Sequence, residues 1–174
     1  MPTLTQLQKI GLLSDTVLYP EAVAFMRRLV DKEGCNPLPT SQVNGLFSIA
    51  ESSRYSELRQ FVEHQRDRDW PPSKRDIKMF YSRLEQEFTR LERRLDVEFR
   101  LTKDEHGRTE SDTDQNEMLA LLAREFIQHI IAENGVIAAE SGDQYRAKQH
   151  AGGQPQQRSG GRDGNQWANR SRGA

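Results

Sequence analysis

Between Ile77 and Phe99 the chain reads IKMFYSRLEQEFTRLERRLDVEF, with Ile77, Phe80, Leu84, Phe88, Leu91, Leu95 and Phe99 spaced 3, 4, 4, 3, 4 and 4 positions apart. At about 3.6 residues per turn, that spacing keeps one apolar stripe in line for about six turns. It predicts an amphipathic helix long enough to project beyond a small bundle. Nowhere does the chain alternate Val, Ile, Thr and aromatic residues between turn signals, as a strand would. Helical spacing recurs instead, so the predicted fold class is all-α.

Working upstream, Leu58, Phe61 and Val62 predict a helix running toward Asp69 and ended by Trp70-Pro71-Pro72. Ser73 with Asp76 three residues later resembles a capping box, with Asp in place of the usual Glu. Val43, Leu46, Phe47 and Ala50 form a stripe behind Pro39 and a Thr40 or Ser41 N-cap, with a break near Ser53 and Tyr55. Gly45 inside that stripe costs about 1 kcal/mol relative to Ala, which a close helix crossing could offset. Val23, Met26, Leu29 and Val30 share a face after Pro20, which suits a first helical turn, and Gly34 follows as a C-cap. Asn36-Pro37-Leu38-Pro39 reads as a rigid linker, and Leu4, Leu7 and Ile10 as a short helix within Thr3–Leu13.

Downstream, residues 103–116 are polar and acidic and read as a mobile loop. Met118, Leu119, Leu121, Leu122, Phe126, Ile127, Ile130 and Ile131 predict a helix from about Gln115 to Glu133. Its broad apolar surface implies deep burial, in this chain's core or against another subunit. Gly135 is expected to break it. From Gly142 the last 33 residues hold seven Gly, six Gln and five Arg, too little apolar surface to offset the entropy of ordering. The expected organisation is an N-terminal arm or short helix over 1–19, a single bundle of five or six helices over 20–141, and a disordered tail over 142–174.

The whole chain of 174 residues is 34% hydrophobic and carries a net charge of −1. No apolar run reaches membrane-spanning length, and the N-terminus does not read as a secretory signal. Cys35 stands alone, which rules out an internal disulfide framework and a cysteine-based zinc cluster. These features predict a cytoplasmic protein. The near-neutral total conceals an asymmetry: residues 101–143 carry a net of −7, residues 54–100 a net of +2 and residues 144–174 a net of +5. An acidic stretch beside a basic tail suggests self-neutralisation or a polyanionic partner.

Glu125 and His129 at i, i+4 could place two metal ligands together, but nothing supplies a third or fourth, so an ordinary helix pair is expected and no metal. No phosphate loop, nucleophile elbow or dinucleotide fingerprint is present. The reading is therefore non-catalytic, with no cofactor. The stretch 65–78 is more informative, for it sets Arg66, Arg68, Lys74, Arg75 and Lys78 around a turn with Trp70 among them. Unpaired N–H groups at a helix start favour phosphate oxygens, the cations attract a nucleic-acid backbone, and an exposed Trp could stack on a base. These six residues are the candidate RNA-binding set. The competing reading is structural: Trp70 caps the bundle while Asp67, Asp69 and Asp76 neutralise the cations. A second basic row, Arg83, Arg90, Arg93, Arg94 and Arg100, alternates with Glu85, Glu87, Glu92 and Glu98, and is expected to pair within its own helix. The Arg–Gly segments at 158–164 and 170–173 could bind RNA weakly.

At Pro39-Thr40-Ser41-Gln42-Val43-Asn44-Gly45-Leu46-Phe47 the sequence resembles the small helical subunit of type III CRISPR effector complexes. The resemblance covers that segment and the helical layout of about residues 20–140. It implies a non-catalytic subunit that lines the inner filament, contacts neighbouring subunits and helps hold the guide–target RNA duplex by its backbone. That family often has a basic residue where this chain has Asn44, so the basic turn would carry more of the phosphate contact. The alternative is a helical protein-interaction adaptor or self-associating module with no nucleic-acid role, suggested by the broad apolar face after Met118.

Overall fold

A computed structural model describes residues 2–52, 54–103 and 111–151, with side chains described through residue 142. Among these residues the architecture is all-helical, with no strand, and no helix is long and apolar enough to cross a membrane. The Arg–Gly segments of the tail lie outside the described residues, as does 104–110 of the expected loop.

The first third forms one rod rather than an arm and a separate helix. Helix α1 (Leu4–Leu13) passes through a π turn (Ser14–Leu18) into α2 (Tyr19–Arg27) and a second π turn (Arg28–Lys32). A capping box starts it: Gln6 N–H donates to Thr3 Oγ1 at 3.2 Å and Thr3 N–H to Gln6 Oε1 at 2.7 Å. Pro20 stands in the first turn of α2, as expected, although the chain reaches it through a π turn rather than a loop. In a regular α-helix its ring would press on the carbonyl four residues back, and the π turn just before it widens the rod at that point. The rod closes where the sequence predicts. Gly34 takes φ +68°, and Cys35 N–H donates to Leu29 O at 2.9 Å.

The Asn-Pro-Leu-Pro linker is pinned rather than free. The buried Asn134 side chain accepts from Leu38 N–H at 2.7 Å and donates to Leu38 O at 3.2 Å. Helix α3 (Thr40–Ser52) follows, with Thr40 as its first helical residue rather than its cap, and Pro39 O accepting from Gln42 and Val43. A Cβ at Gly45 would meet nothing within 4 Å, so no helix crossing offsets that glycine. Helix α4 (Tyr55–Asp67) lies against α5 (Arg75–Val97), which a 3-10 turn (Pro72–Lys74) introduces.

All seven stripe residues of the α5 segment are buried, so α5 is enclosed along its length and does not project. Phe99 lies past the helix end, and a wide turn brings it back. Arg100 takes φ +51°, Leu101 N–H donates to Leu95 O at 3.0 Å, and the Arg94 guanidinium covers the Phe99 ring at 4.5 Å. Rings from three helices meet in the core, with Phe25 edge-on to Phe80 at 5.7 Å and to Phe126 at 6.0 Å.

The long element is α6 (Asp112–Ala151), three residues earlier at its start than its apolar pattern predicts. It runs without a break through Gly135 and Gly142, ten residues into the segment expected to be disordered. Bonds from other elements hold it past Gly135. Arg27 Nε reaches Glu133 at 2.7 Å, and its two terminal nitrogens grip Glu140 at 2.8 and 3.1 Å. Met118, Leu122, Phe126, Ile127 and Ile130 are buried within this chain, which assigns the broad face to the core.

Candidate nucleic-acid interface

The candidate residues lie where the chain reverses between α4 and α5. Arg68 leaves α4 in an extended conformation (φ −60°, ψ 141°). Its N–H still reaches His64 O at 3.0 Å, and Trp70 N–H donates to Arg68 O at 2.9 Å. Two prolines rule out continued helix here. The expected Ser73–Asp76 capping box does not form. The chain enters α5 through the 3-10 turn with Lys74 at the N-cap, whose ammonium cannot accept a cap bond, and the Asp76 carboxylate accepts from Asn36 instead.

The six candidates divide into two groups. Arg66 is committed to the bundle: it grips Asp67 with two bonds of 2.8 Å and lies 3.6 Å from Glu85. That guanidinium holds the Asp67 carboxyl below its ordinary range, with a smaller contribution from nearby Lys78. Arg68, Lys74, Arg75 and Lys78 are exposed, and among the described residues none forms an ion pair. Of the three Asp expected to neutralise this corner, Asp67 serves Arg66, Asp76 serves Asn36, and Asp69 is exposed in the turn without an ion pair among the described residues. Trp70 joins the candidates only indirectly. Its ring is half-buried against the core, its indole N–H donates to Gln65 O at 2.7 Å, and Arg68 lies over the ring at 4.6 Å with Lys74 at 5.8 Å.

In the second basic row Arg93 is exposed without an ion pair among the described residues, and Arg83, Arg90 and Arg94 pair between helices as well as along their own. Arg83 meets Glu33 at 3.1 Å, Arg90 meets Glu21 at 3.4 Å, and Arg94 meets Glu21 at 2.7 Å. On the other flank of α5, Arg59 of α4 bonds Glu92 and lies 3.6 Å from Glu85. Within α5 itself, Arg90 lies 3.5 Å from Glu87, and Arg94 Nε reaches Glu98, just past the helix end, at 2.6 Å.

Two other features lie elsewhere. Glu125 and His129 do share a face, and both meet buried Ser14 of the first π turn. Its Oγ lies 2.9 Å from Glu125 Oε2 and 2.8 Å from His129 Nε2. A carboxylate only accepts, so Ser14 donates to Glu125 and His129 Nε2 donates to Ser14. The trio is a polar latch between the rod and α6. No group of three His, Cys, Asp or Glu among the described residues could hold a metal ion. Burial pushes the Cys35 thiol up, with Asp76 and Glu33 adding to the shift, which disfavours its nucleophilic thiolate. The second feature is an open groove of about 940 Å³ whose lining includes Leu7, Ala50, Tyr55, Ala120 and Leu121, a juxtaposition of α1, α3, α4 and α6 with no local sequence signal. No protein-family model, curated protein or solved structure matches the chain.

Proposed function

We propose that the chain is a non-catalytic structural subunit of a cytoplasmic ribonucleoprotein, of the RNA-guided CRISPR type that residues 39–47 resemble. In this reading it contacts the backbone of RNA at the α4–α5 corner and neighbouring subunits elsewhere. One observation carries it: Arg68, Lys74, Arg75 and Lys78 stand exposed at one corner, and among the described residues none forms an ion pair. Three of them occupy the N-cap and first turns of α5, where the helix already presents partial positive charge and where Asp or Glu is the favoured choice. A bound phosphate relieves that repulsion. Contacts of this kind are sequence-tolerant and salt-sensitive.

The test is a filter-binding titration of single-stranded RNA against wild type and Lys74→Ala/Arg75→Ala/Lys78→Ala over a salt series. Removing three phosphate contacts is expected to flatten the log–log salt slope by about 2, at about 0.7 per contact. An unchanged slope and affinity would sink this site. A second reading, a helical interaction module, is favoured by the open groove lined in part by Leu7, which is 45% exposed on α1. Light scattering that finds only monomer at high concentration argues against a self-associating version of it.

A further inference from the structure

Trp70 is the aromatic residue of the corner, and its resources are already committed. The indole N–H is given to Gln65 O, the ring packs against the core, and Arg68 and Lys74 lie over it at 4.6 and 5.8 Å. A nucleobase stacking on this ring would have to displace a cation that the ring quadrupole attracts. An Arg or Lys side chain on a surface otherwise samples many rotamers, and gripping a phosphate freezes them; a cation already held over an aromatic face loses less on binding.

We infer that Trp70 is a positioning residue that holds Arg68 and Lys74 beside Arg75 and Lys78, and that the ligand of this corner is the phosphodiester backbone of RNA, taken without regard to base. This inference rests on the reading of the corner as an RNA site. It assigns Trp70 the opposite role to a base-stacking platform: the ring faces the protein's own cations, and those cations face the ligand.

The experiment uses the full chain with Trp167→Phe, so that Trp70 is the sole indole. The probes are oligomers of U, of A, of C and of abasic ribose-phosphate, all of one length. The four are expected to bind within about threefold of one another, with little change in Trp70 emission, because phosphate contacts carry no base identity. Trp70→Leu is expected to weaken binding about two- to fivefold, the worth of one exposed cation–π contact, and Trp70→Phe to restore most of it. Both variants lose the bond to Gln65, so equal weakening by the two would overturn the positioning role, and thermal melts monitored by circular dichroism show that each is folded. Failure of the abasic oligomer to bind, or base-dependent quenching of Trp70, would also overturn the inference. If wild type binds none of the four, or Lys74→Ala/Lys78→Ala binds as wild type does, the RNA reading itself falls, and this inference with it.

Discussion

The two ends of α5 carry similar side chains with opposite fates. At the N-terminal end Lys74, Arg75 and Lys78 face outward with no ion pair among the described residues. Toward the C-terminal end Arg94 is 10% exposed and held by Glu21 of α2, Glu98 and the face of Phe99. Part of the difference is local, since Arg94 has Glu98 four residues on and the N-terminal cations have no such partner. The rest lies in what packs alongside. The α1–α2 rod brings Glu21 and Glu33 to one flank of α5, α4 brings Arg59 to the other, and among the described residues no carboxylate comes within ion-pair distance of Lys74, Arg75 or Lys78. A cation beside a neighbouring carboxylate joins the architecture, and one without a partner is available to a ligand.

The largest effect is expected from the closed end. Arg94→Ala removes the partner of two carboxylates and uncovers Phe99, and should lower unfolding free energy by about 2–3 kcal/mol, below the cost of breaking a fully buried pair because Glu98 is largely exposed. Urea denaturation reads this directly, and a loss under about 0.5 kcal/mol would mean that the seam is decorative. The same variant carries a pH signature. Arg94 holds Glu98 below its ordinary value of 4.5. A depressed folded value means that the stabilisation is full above the unfolded value and is lost as pH falls through the folded one. Wild-type stability should therefore fall on the acid side of about pH 4.5, and that acid slope should be shallower in Arg94→Ala.

At the open end the sign reverses. Lys74→Ala/Arg75→Ala/Lys78→Ala should leave stability unchanged or raise it by up to about 1 kcal/mol, since cations at a helix start oppose its dipole. A marked loss in a thermal melt would show that these residues are structural and that the contrast between the two ends is false. The smallest effect concerns how the closed end is shaped. Arg100→Gly relieves a left-handed backbone that costs a non-glycine residue about 1–2 kcal/mol, but it also loosens the unfolded chain, so the net gain should stay under about 1 kcal/mol. A destabilised Arg100→Gly would mean that the Arg100 side chain, rather than its backbone, matters to the turn.

Much of this molecule is written locally. The 3, 4, 4 spacing from Ile77 to Phe99 specifies one buried stripe, because a helix turns by a fixed angle per residue whatever surrounds it. Gly34 closes the first rod and the Trp-Pro-Pro run ends α4 for equally local reasons, φ freedom in one case and a missing N–H in the other. Local reading fails where a distant side chain pulls harder than a propensity. Pro20 leaves the rod unbroken because a π turn absorbs it, and α6 continues through Gly135 with Asn134 and Glu140 fastened to the linker and to Arg27. The Ser73–Asp76 cap loses to Asn36, forty residues away from Asp76. The candidate site divides in the same way. That the corner is basic is legible in residues 65–78, whereas the commitment of Arg66 to Asp67 and of Trp70 to Arg68 is a matter of rotamer and approach. Sequence by itself determined that the chain is helical, which faces are apolar and where its cations cluster, since these follow from period and composition. Only the tertiary structure decided which cations find carboxylates and which remain for a ligand, because that depends on which helix lies beside which.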